Sequence, residues 1–248
     1  MMLREPVSGK ENALDGAESR SNGAGWPRAV IFDLDGTLID SAPDIASALN
    51  EVLGRRNLPP FALEKVKQMI GGGIPTLIRR ALEAHGVEPH DIQPIVTDML
   101  GVYAERATAL TVLYDGAKDE LDRLRTVGVK MAVCTNKNQD ITDIILRDLS
   151  VASYFDAVVG ARPGLPRKPD PAALQMVLDA LSVRAADAVM VGDSSADAGV
   201  AKAVGVPVVL ASFGYSHGPL EELEPDAIIA GFGELPAALQ ALSRRPPS

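Results

Sequence analysis

The sequence is poor in cysteine and histidine and lacks long apolar runs, and each shortage excludes a class of protein. Its one cysteine, Cys134, cannot form an internal disulfide, so we exclude a disulfide scaffold and expect a reducing, cytoplasmic location. The three histidines, His85, His90 and His217, do not have the spacing of metal ligands, which argues against a zinc enzyme. No apolar run approaches the roughly 20 residues of a membrane span, so we expect no membrane partner.

The charge balance is acidic. Lys and Arg total 24 against 33 Asp and Glu, which gives a net charge of -9 over 248 residues. Because such a chain repels phosphate backbones at long range, we expect no nucleic-acid partner. With 46% apolar residues, the chain can bury a sizeable core as one domain or two small ones.

The first 26 residues differ from the rest of the sequence. They mix Gly, Ser, Ala and charges of both signs without periodicity, and they contain no apolar core of the kind a secretory signal needs. We therefore predict a disordered tail over residues 1–26.

From Arg28 onward, short apolar runs alternate with helical patterns. Unbroken apolar strands are typical of a parallel sheet covered on both faces, and alternating strands and helices are typical of an α/β fold. The sequence thus predicts a Rossmann-like open parallel sheet with helices on both faces. The predicted strands lie at 28–33, 129–134, 157–160, 188–192, 207–211 and 226–230, and the predicted helices between them at 118–127, 139–149 and 170–181.

A helical insertion follows the first predicted strand. Residues 43–113 contain no convincing strand, and Pro and Gly residues divide them into helices predicted at 43–55, 62–70, 74–85 and 92–109. We expect a small all-α helical-bundle cap over 43–113 and a core domain formed by 27–42 and 114–248. An insertion that leaves and rejoins the sheet at loops is well placed to act as a lid.

The segment Asp33-Leu34-Asp35-Gly36-Thr37 ends the first strand. In an extended chain, residues i and i+2 point the same way, so Asp33 and Asp35 leave the sheet on one side. Two adjacent carboxylates repel each other, and a cation between them relieves that repulsion. The alternative is a surface turn in which an aspartate caps a helix.

Two further motifs carry groups that could bind an oxyanion. Thr135 and Asn136 follow an apolar strand and can donate hydrogen bonds, although capping of the helix that begins near Asn138 explains them as well. Lys168 stands in a loop stiffened by two prolines, where it could neutralise a phosphate or point into water.

The fourth motif brings two more carboxylates, Asp193 at a strand end and Asp197 about one turn into the next helix. All four motifs adjoin the carboxyl ends of predicted strands, which is the edge where open α/β sheets bind ligands. Together they suit a divalent cation and a phosphate.

The order and the residues of these motifs resemble those of the haloacid-dehalogenase superfamily of phosphatases. The matching segments are DLDGT at 33–37, TN at 135–136, KPDP at 168–171 and GDSSAD at 192–197. The segments SAPDIASALN at 41–50 and FGYSHG at 213–218 are similar to phosphoglycolate phosphatases. The resemblance implies a sheet core with a cap inserted after the first motif.

The resemblance also implies a two-step hydrolysis. Asp33 would attack phosphorus to form an aspartyl-phosphate, and Asp35 would protonate the leaving group and then activate water. In the family pattern Mg²⁺ is held by Asp33, by the backbone carbonyl of Asp35 and by Asp193, with a phosphate oxygen and water as further ligands.

The remaining motif residues receive supporting roles from the same resemblance. Lys168 would neutralise the phosphate, and Thr135 and Asn136 would orient its oxygens. Asp197 would support the metal cluster and the lysine without binding the metal directly.

The expected substrate is a small phosphate ester, 2-phosphoglycolate being the first candidate. Arg79 and Arg80 could meet its carboxylate, although both could equally face water, and His217 could lie at the rim of the site. Three alternatives stay open: a phosphatase for another sugar phosphate or pyrophosphate, a phosphomutase, and a non-catalytic binding protein. Either a monomer or a homodimer is compatible with the sequence.

Overall fold

A computed structural model describes residues 25–88 and 90–243, and six of its strands form one parallel sheet. The strands are β1 (Ala29–Phe32), β4 (Lys130–Asn138), β5 (Ala157–Ala161), β6 (Ala188–Gly192), β7 (Val208–Ala211) and β8 (Ala227–Ile229). Their spatial order is β5-β4-β1-β6-β7-β8. All six predicted strands are confirmed. The central position of β1 places its carboxyl end between those of β4 and β6.

Helices cover both faces of the sheet. The helices of the core are α5 (Ala117–Thr126), α6 (Gln139–Asp148), α7 (Pro171–Leu181), α8 (Ser195–Val204) and α9 (Leu235–Ser243). Ile31 packs with α7 and α8 on one face, whereas its neighbours Val30 and Phe32 pack with α5, α6 and α9 on the other. Because both faces are covered, successive residues of β1 are fully buried, which is why the strand is apolar without alternation. The predicted α/β fold is confirmed.

Four helices lie between the first strand and the rest of the core. They are α1 (Ala42–Gly54), α2 (Leu63–Lys67), α3 (Ile74–Ala84) and α4 (Gln93–Ala104). Their apolar faces share one hydrophobic cluster with the sheet, in which Leu49, Leu77 and Met99 join Phe32 and Val133. The helical insertion is therefore packed onto the core rather than tethered beside it.

A short antiparallel ribbon joins the insertion to the core. It pairs β2 (Ile39–Asp40) with β3 (Val112–Leu113). The sequence predicted neither strand, because two residues are too few to show a periodic pattern, and β3 lies inside the insertion expected to be all-α. The ribbon brings the two ends of the insertion together at one point of the core.

Two boundaries differ from the sequence-based expectation. Trp26, which we assigned to the tail, is 6% exposed and packs in the main hydrophobic cluster. Of the rest of the predicted tail, Gly25 is described, and residues 1–24 lie outside the described residues. Helix α4 ends at Ala104, earlier than the predicted 109, and a turn leads from it to β3.

Cys134 lies within β4 and is buried, in keeping with its small apolar side chain. Among the helices of residues 25–88 and 90–243, none combines the length and the apolar character that crossing a bilayer requires.

Candidate active site

Three motif residues meet where the central strands end. Asp33 directly follows β1, Asp193 directly follows β6, and Lys168 lies just before α7. The side chains of all three are buried. Since β1 and β6 are parallel neighbours, their carboxyl ends bring Asp33 and Asp193 to the same edge of the sheet.

Asp33, Asp193 and Asp197 form a compact acidic cluster. Each offers one oxygen, and these three oxygens lie within 4.8 Å of one another. Burial raises the pKa of Asp33 to about 6, even though Lys168 lowers it, and Asp197 adds to the rise. Burial, reinforced by Asp197 and Asp33, also raises the pKa of Asp193 well above its ordinary value. A bound cation would relieve this repulsion.

The cluster fits a hard divalent cation in donor type and in packing. Its donors are carboxylate oxygens that lie close enough together to share one ion. Asp193 is enclosed by backbone, because a Cβ on Gly214 would lie 2.4 Å from its Oδ2. The backbone N–H of Tyr215 donates to the same Oδ2 at 2.6 Å, which fixes the carboxylate.

Lys168 is held between two carboxylates. Its Nζ lies 2.9 Å from Oδ1 of Asp33 and 2.6 Å from Oδ1 of Asp197. Burial alone would lower the pKa of Lys168, but Asp197 and Asp33 outweigh burial and raise it, so the ammonium stays charged. Oδ2 of Asp197 accepts hydrogen bonds from the hydroxyl and backbone N–H of Ser194. Both oxygens of Asp197 are thus engaged, which suits a supporting position better than a metal ligand.

Thr135 and Asn136 lie where β4 becomes irregular. The register between β4 and β5 shifts between Cys134 and Asn138, and Asn136 Nδ2 donates to the carbonyl of Lys168 at 2.9 Å. Oδ1 of Asn136 is buried without a hydrogen-bond partner among the described residues. The alternative of helix capping is wrong for both residues, because Asn138 caps α6 by accepting from the backbone N–H of Ile141.

Asp35 lies apart from the acidic cluster. Its Oδ1 accepts hydrogen bonds from Ser41 Oγ at 2.5 Å and from Lys137 Nζ at 2.8 Å. Lys137 in turn donates to the hydroxyl of Tyr103 at 2.6 Å. Burial alone would lower the pKa of Lys137, but Asp35 and Tyr103 raise it overall.

Sequence reasoning missed Lys137, Tyr103 and Tyr215. The hydroxyl of Tyr215 donates to Asp40 Oδ1 at 2.6 Å and accepts from the backbone N–H of Ser41 at 2.9 Å, so it fixes the turn that leads into α1. Lys137 directly follows the Thr135–Asn136 motif, and Tyr215 lies within the FGYSHG segment at 213–218. Their positions next to or within these motifs could have pointed to both residues. No sequence signal marked Tyr103, because a helical pattern does not show which buried tyrosine faces the sheet.

Two cavities open around these residues. The larger lies beside Lys168 and Asp193 and is bordered by Arg79, Arg80, Arg167 and His217. The smaller is lined by polar and by apolar side chains. Its polar lining includes Asp33, Asp35, Tyr103, Thr135, Asn136 and Lys137, and its apolar lining includes Ile45, Ile70, Ile74 and Leu77.

The candidate specificity residues Arg79 and Arg80 both border the larger cavity but differ in their contacts. Arg79 is exposed, whereas Arg80 is half-buried and its Nη1 donates to the carbonyls of Met69 at 3.0 Å and Ile70 at 3.3 Å. His217 lies at the rim, with Nε2 2.9 Å from the carbonyl of Ile70, and thereby links the core to the insertion.

Comparison with known proteins agrees with this arrangement. The family model described as haloacid dehalogenase-like hydrolase matches residues 30–211. The chain belongs to this family. The match includes all four motifs and the insertion between the first two, so the resemblance inferred from the motifs is confirmed.

Relatives within the family carry a more specific name. A protein of Rhodospirillum rubrum named phosphoglycolate phosphatase is 41% identical over 215 residues, 84% of this chain and 89% of the relative. Another of that name, from Pseudomonas fluorescens, is 40% identical over 208 residues, 82% of this chain and 76% of the relative. A crystal structure of a predicted phosphoglycolate phosphatase from Haemophilus somnus has a TM-score of 0.80 at 28% identity, covering 85% of this chain and 96% of that one. From these relatives we conclude that the present chain, a member of the hydrolase family, is a phosphatase.

Proposed function

We propose that the protein is a Mg²⁺-dependent phosphatase that converts 2-phosphoglycolate to glycolate and phosphate. The observation that carries the proposal is the meeting of Asp33, Lys168 and Asp193 at one buried edge of the sheet. An anionic nucleophile, an ammonium group and a cation site within contact distance suit a phosphate ester. The relatives' shared name supports the choice of substrate.

Asp33 is the nucleophile in this proposal. Its carboxylate oxygen forms a bond to phosphorus while the bond from phosphorus to the ester oxygen breaks. Lys168, 2.9 Å from Asp33, reduces the repulsion between the carboxylate and the incoming dianion. Thr135 and Asn136 line the same cavity as Asp33, beside the phosphate position. The Thr135 hydroxyl and the Asn136 Nδ2 N–H that does not reach the Lys168 carbonyl can donate to phosphate oxygens.

Asp35 is the general acid and base. It gives a proton to the departing ester oxygen, and as a carboxylate it then takes a proton from the water that attacks phosphorus and restores Asp33. Asp35 faces the smaller cavity together with Asp33, so it can reach the leaving group without competing for phosphorus.

Mg²⁺ would be held by the carboxylates of Asp33 and Asp193 and by the backbone carbonyl of Asp35. When bound, it supplies positive charge that offsets the buried carboxylates and the phosphate. Asp197 is a supporting residue, since its two oxygens hold Lys168 and Ser194.

Substrate selection is assigned to the larger cavity. Arg79 from α3 and Arg167 from the loop before Lys168 border it, and a guanidinium meets a carboxylate with two parallel hydrogen bonds. We assign residues 43–113 as the cap domain and 27–42 with 114–243 as the core domain. Closing the cap would complete the site with Arg79.

A substrate panel tests the proposal. Phosphate release is measured with 2-phosphoglycolate, glucose phosphates, pyrophosphate and p-nitrophenyl phosphate, each with Mg²⁺ and with EDTA. The proposal expects the highest kcat/KM with 2-phosphoglycolate and no turnover in EDTA. A higher kcat/KM with another substrate would overturn the substrate assignment, and turnover of none would favour a binding protein. Conversion of a glucose phosphate to its isomer would favour a mutase.

A further inference from the structure

Two side chains, Tyr103 and Lys137, link the insertion to the proposed general acid, Asp35. Tyr103, on α4, is 1% exposed, and its hydroxyl accepts from Lys137 Nζ at 2.6 Å. The same ammonium donates to Asp35 Oδ1 at 2.8 Å and lies 4.5 Å from the centre of the Tyr103 ring. Burying an ammonium group is unfavourable unless its partners are well placed, so Lys137 depends on both Asp35 and Tyr103.

The two hydrogen bonds that the structure shows to the Asp35 side chain reach the same oxygen. Ser41 Oγ and Lys137 Nζ both donate to Oδ1. With two donors directed at it, Oδ1 has no room for a proton of its own. The proton that Asp35 gives up and takes back is therefore carried on Oδ2.

We propose that Tyr103 and Lys137 are positioning residues that hold Asp35 with Oδ2 available for proton transfer. The inference rests on the proposed function, because it assigns a task within that reaction. Tyr103 belongs to the insertion while Lys137 and Asp35 belong to the core, so the alignment of Asp35 depends on the insertion being seated on the sheet.

The ammonium group has a further effect during the first step. As the proton moves from Oδ2 to the ester oxygen, negative charge develops on the Asp35 carboxylate. Lys137, fixed 2.8 Å away, stabilises that charge without reorganising. Loss of the Tyr103 hydroxyl would let the ammonium shift and weaken this effect.

The test compares leaving groups in the Tyr103→Phe variant. An alkyl ester such as 2-phosphoglycolate needs a proton as its bond breaks, whereas p-nitrophenolate departs without one. The parameter kcat/KM covers substrate binding and the first chemical step, so later hydrolysis of the intermediate does not enter. We expect Tyr103→Phe to lower kcat/KM about 10-fold for 2-phosphoglycolate and less than about 2-fold for p-nitrophenyl phosphate, within the range of general-acid effects.

Tyr154→Phe is the matched control. Tyr154 is also buried and also has its hydroxyl against an ammonium, Lys118 Nζ at 3.0 Å, but it lies against α5 and borders neither cavity described above. The control should change neither substrate's kcat/KM. Equal losses on both substrates in Tyr103→Phe would show a merely structural role and overturn the inference.

A second measurement uses Asp35→Asn as background. If Tyr103 acts through Asp35, adding Tyr103→Phe to Asp35→Asn should cause no further loss in kcat/KM for 2-phosphoglycolate. A full additional loss would mean that Tyr103 or Lys137 acts on the substrate directly, and would overturn the inference. Failure of the wild type to hydrolyse either ester would instead refute the proposed function, and the inference with it.

Discussion

Lys168 Nζ lies 2.9 Å from Oδ1 of Asp33, although Lys168 comes from the loop before α7 and Asp33 from the end of β1. The same ammonium contacts Asp197, so one positive charge serves two buried carboxylates. Lys168 therefore contributes to both activity and stability, because the ammonium group assigned to phosphate binding also offsets the buried charges of Asp33 and Asp197.

Replacing Lys168 by Met should therefore destabilise the protein as well as inactivate it. The change leaves Asp33 and Asp197 buried without a counter-charge, which typically costs about 3–5 kcal/mol. Urea unfolding measures the loss. Lys202→Met is the control, because its ion pair with Glu224 is exposed and should contribute little to stability. Equal losses in the two variants would contradict the account.

The acidic cluster predicts that Mg²⁺ stabilises the folded protein. At 100 times its dissociation constant, the ion should add about 2.7 kcal/mol to the free energy of unfolding. Asp193→Asn should abolish this gain. Without metal, the variant should be at least as stable as the wild type, since one repelling carboxylate is gone.

Thermal unfolding with Mg²⁺ and with EDTA checks that prediction without any activity assay. Asp119→Asn serves as control, because Asp119 is an exposed carboxylate on α5 and its removal should leave the Mg²⁺ effect intact. A wild-type melting temperature that is indifferent to Mg²⁺ would argue against a metal in the cluster.

Glu120 makes stability depend on pH far from the site. It is 4% exposed, and burial raises its pKa to about 7 from an ordinary 4.5, although Arg123 lowers it. Between these values the unfolded chain releases a proton that the native chain keeps, so this group's contribution to stability falls as pH rises.

Glu120→Gln should remove that dependence. Near pH 4.5 the variant should match the wild type, and near pH 8 it should be more stable by about 2–3 kcal/mol. Urea unfolding across this range measures the difference, with exposed Glu64→Gln as control. A constant difference at all pH values would show that the carboxyl group does not titrate as stated.

The two neighbouring arginines of α3 should behave differently. Arg79→Gln should raise KM for 2-phosphoglycolate about 10-fold or more, the usual effect of losing a charge-assisted hydrogen bond, with a smaller change for p-nitrophenyl phosphate. Arg80→Gln should instead cost about 1 kcal/mol of stability, because its contacts are the backbone carbonyls of Met69 and Ile70. The opposite pattern would assign the carboxylate to Arg80.

The sequence predicts the strands and the four motifs because each is a local pattern. Apolar runs gave all six strands of the parallel sheet, and strand ends bring Asp33, Asp193 and the Thr135–Asn136 pair to one edge. The positions of Trp26, β2 and β3 were not predicted, for the converse reason. One residue or two carry no period, and their positions are set by packing against distant parts of the chain.

The network around Asp35 lay beyond local patterns. Lys137 reaches Tyr103 across 34 positions and Asp35 across 102, and a lysine in sequence gives no sign that it will be buried. The position of Asp197, in contrast, could be predicted from the sequence. It lies four residues after Asp193, about one helical turn away. In the structure its Oδ2 accepts from the backbone N–H of Asp193.

The central claim is that Asp33 attacks phosphorus, and acid quenching during turnover tests it most directly. The wild-type protein is mixed with 2-phosphoglycolate and Mg²⁺, quenched in acid within milliseconds, digested and analysed by mass spectrometry. The account predicts a phosphoryl group on the peptide that carries Asp33, located on that side chain. Rapid phosphate release from a protein whose Asp33→Asn variant is equally active, or a phosphoryl group on another residue, would contradict it.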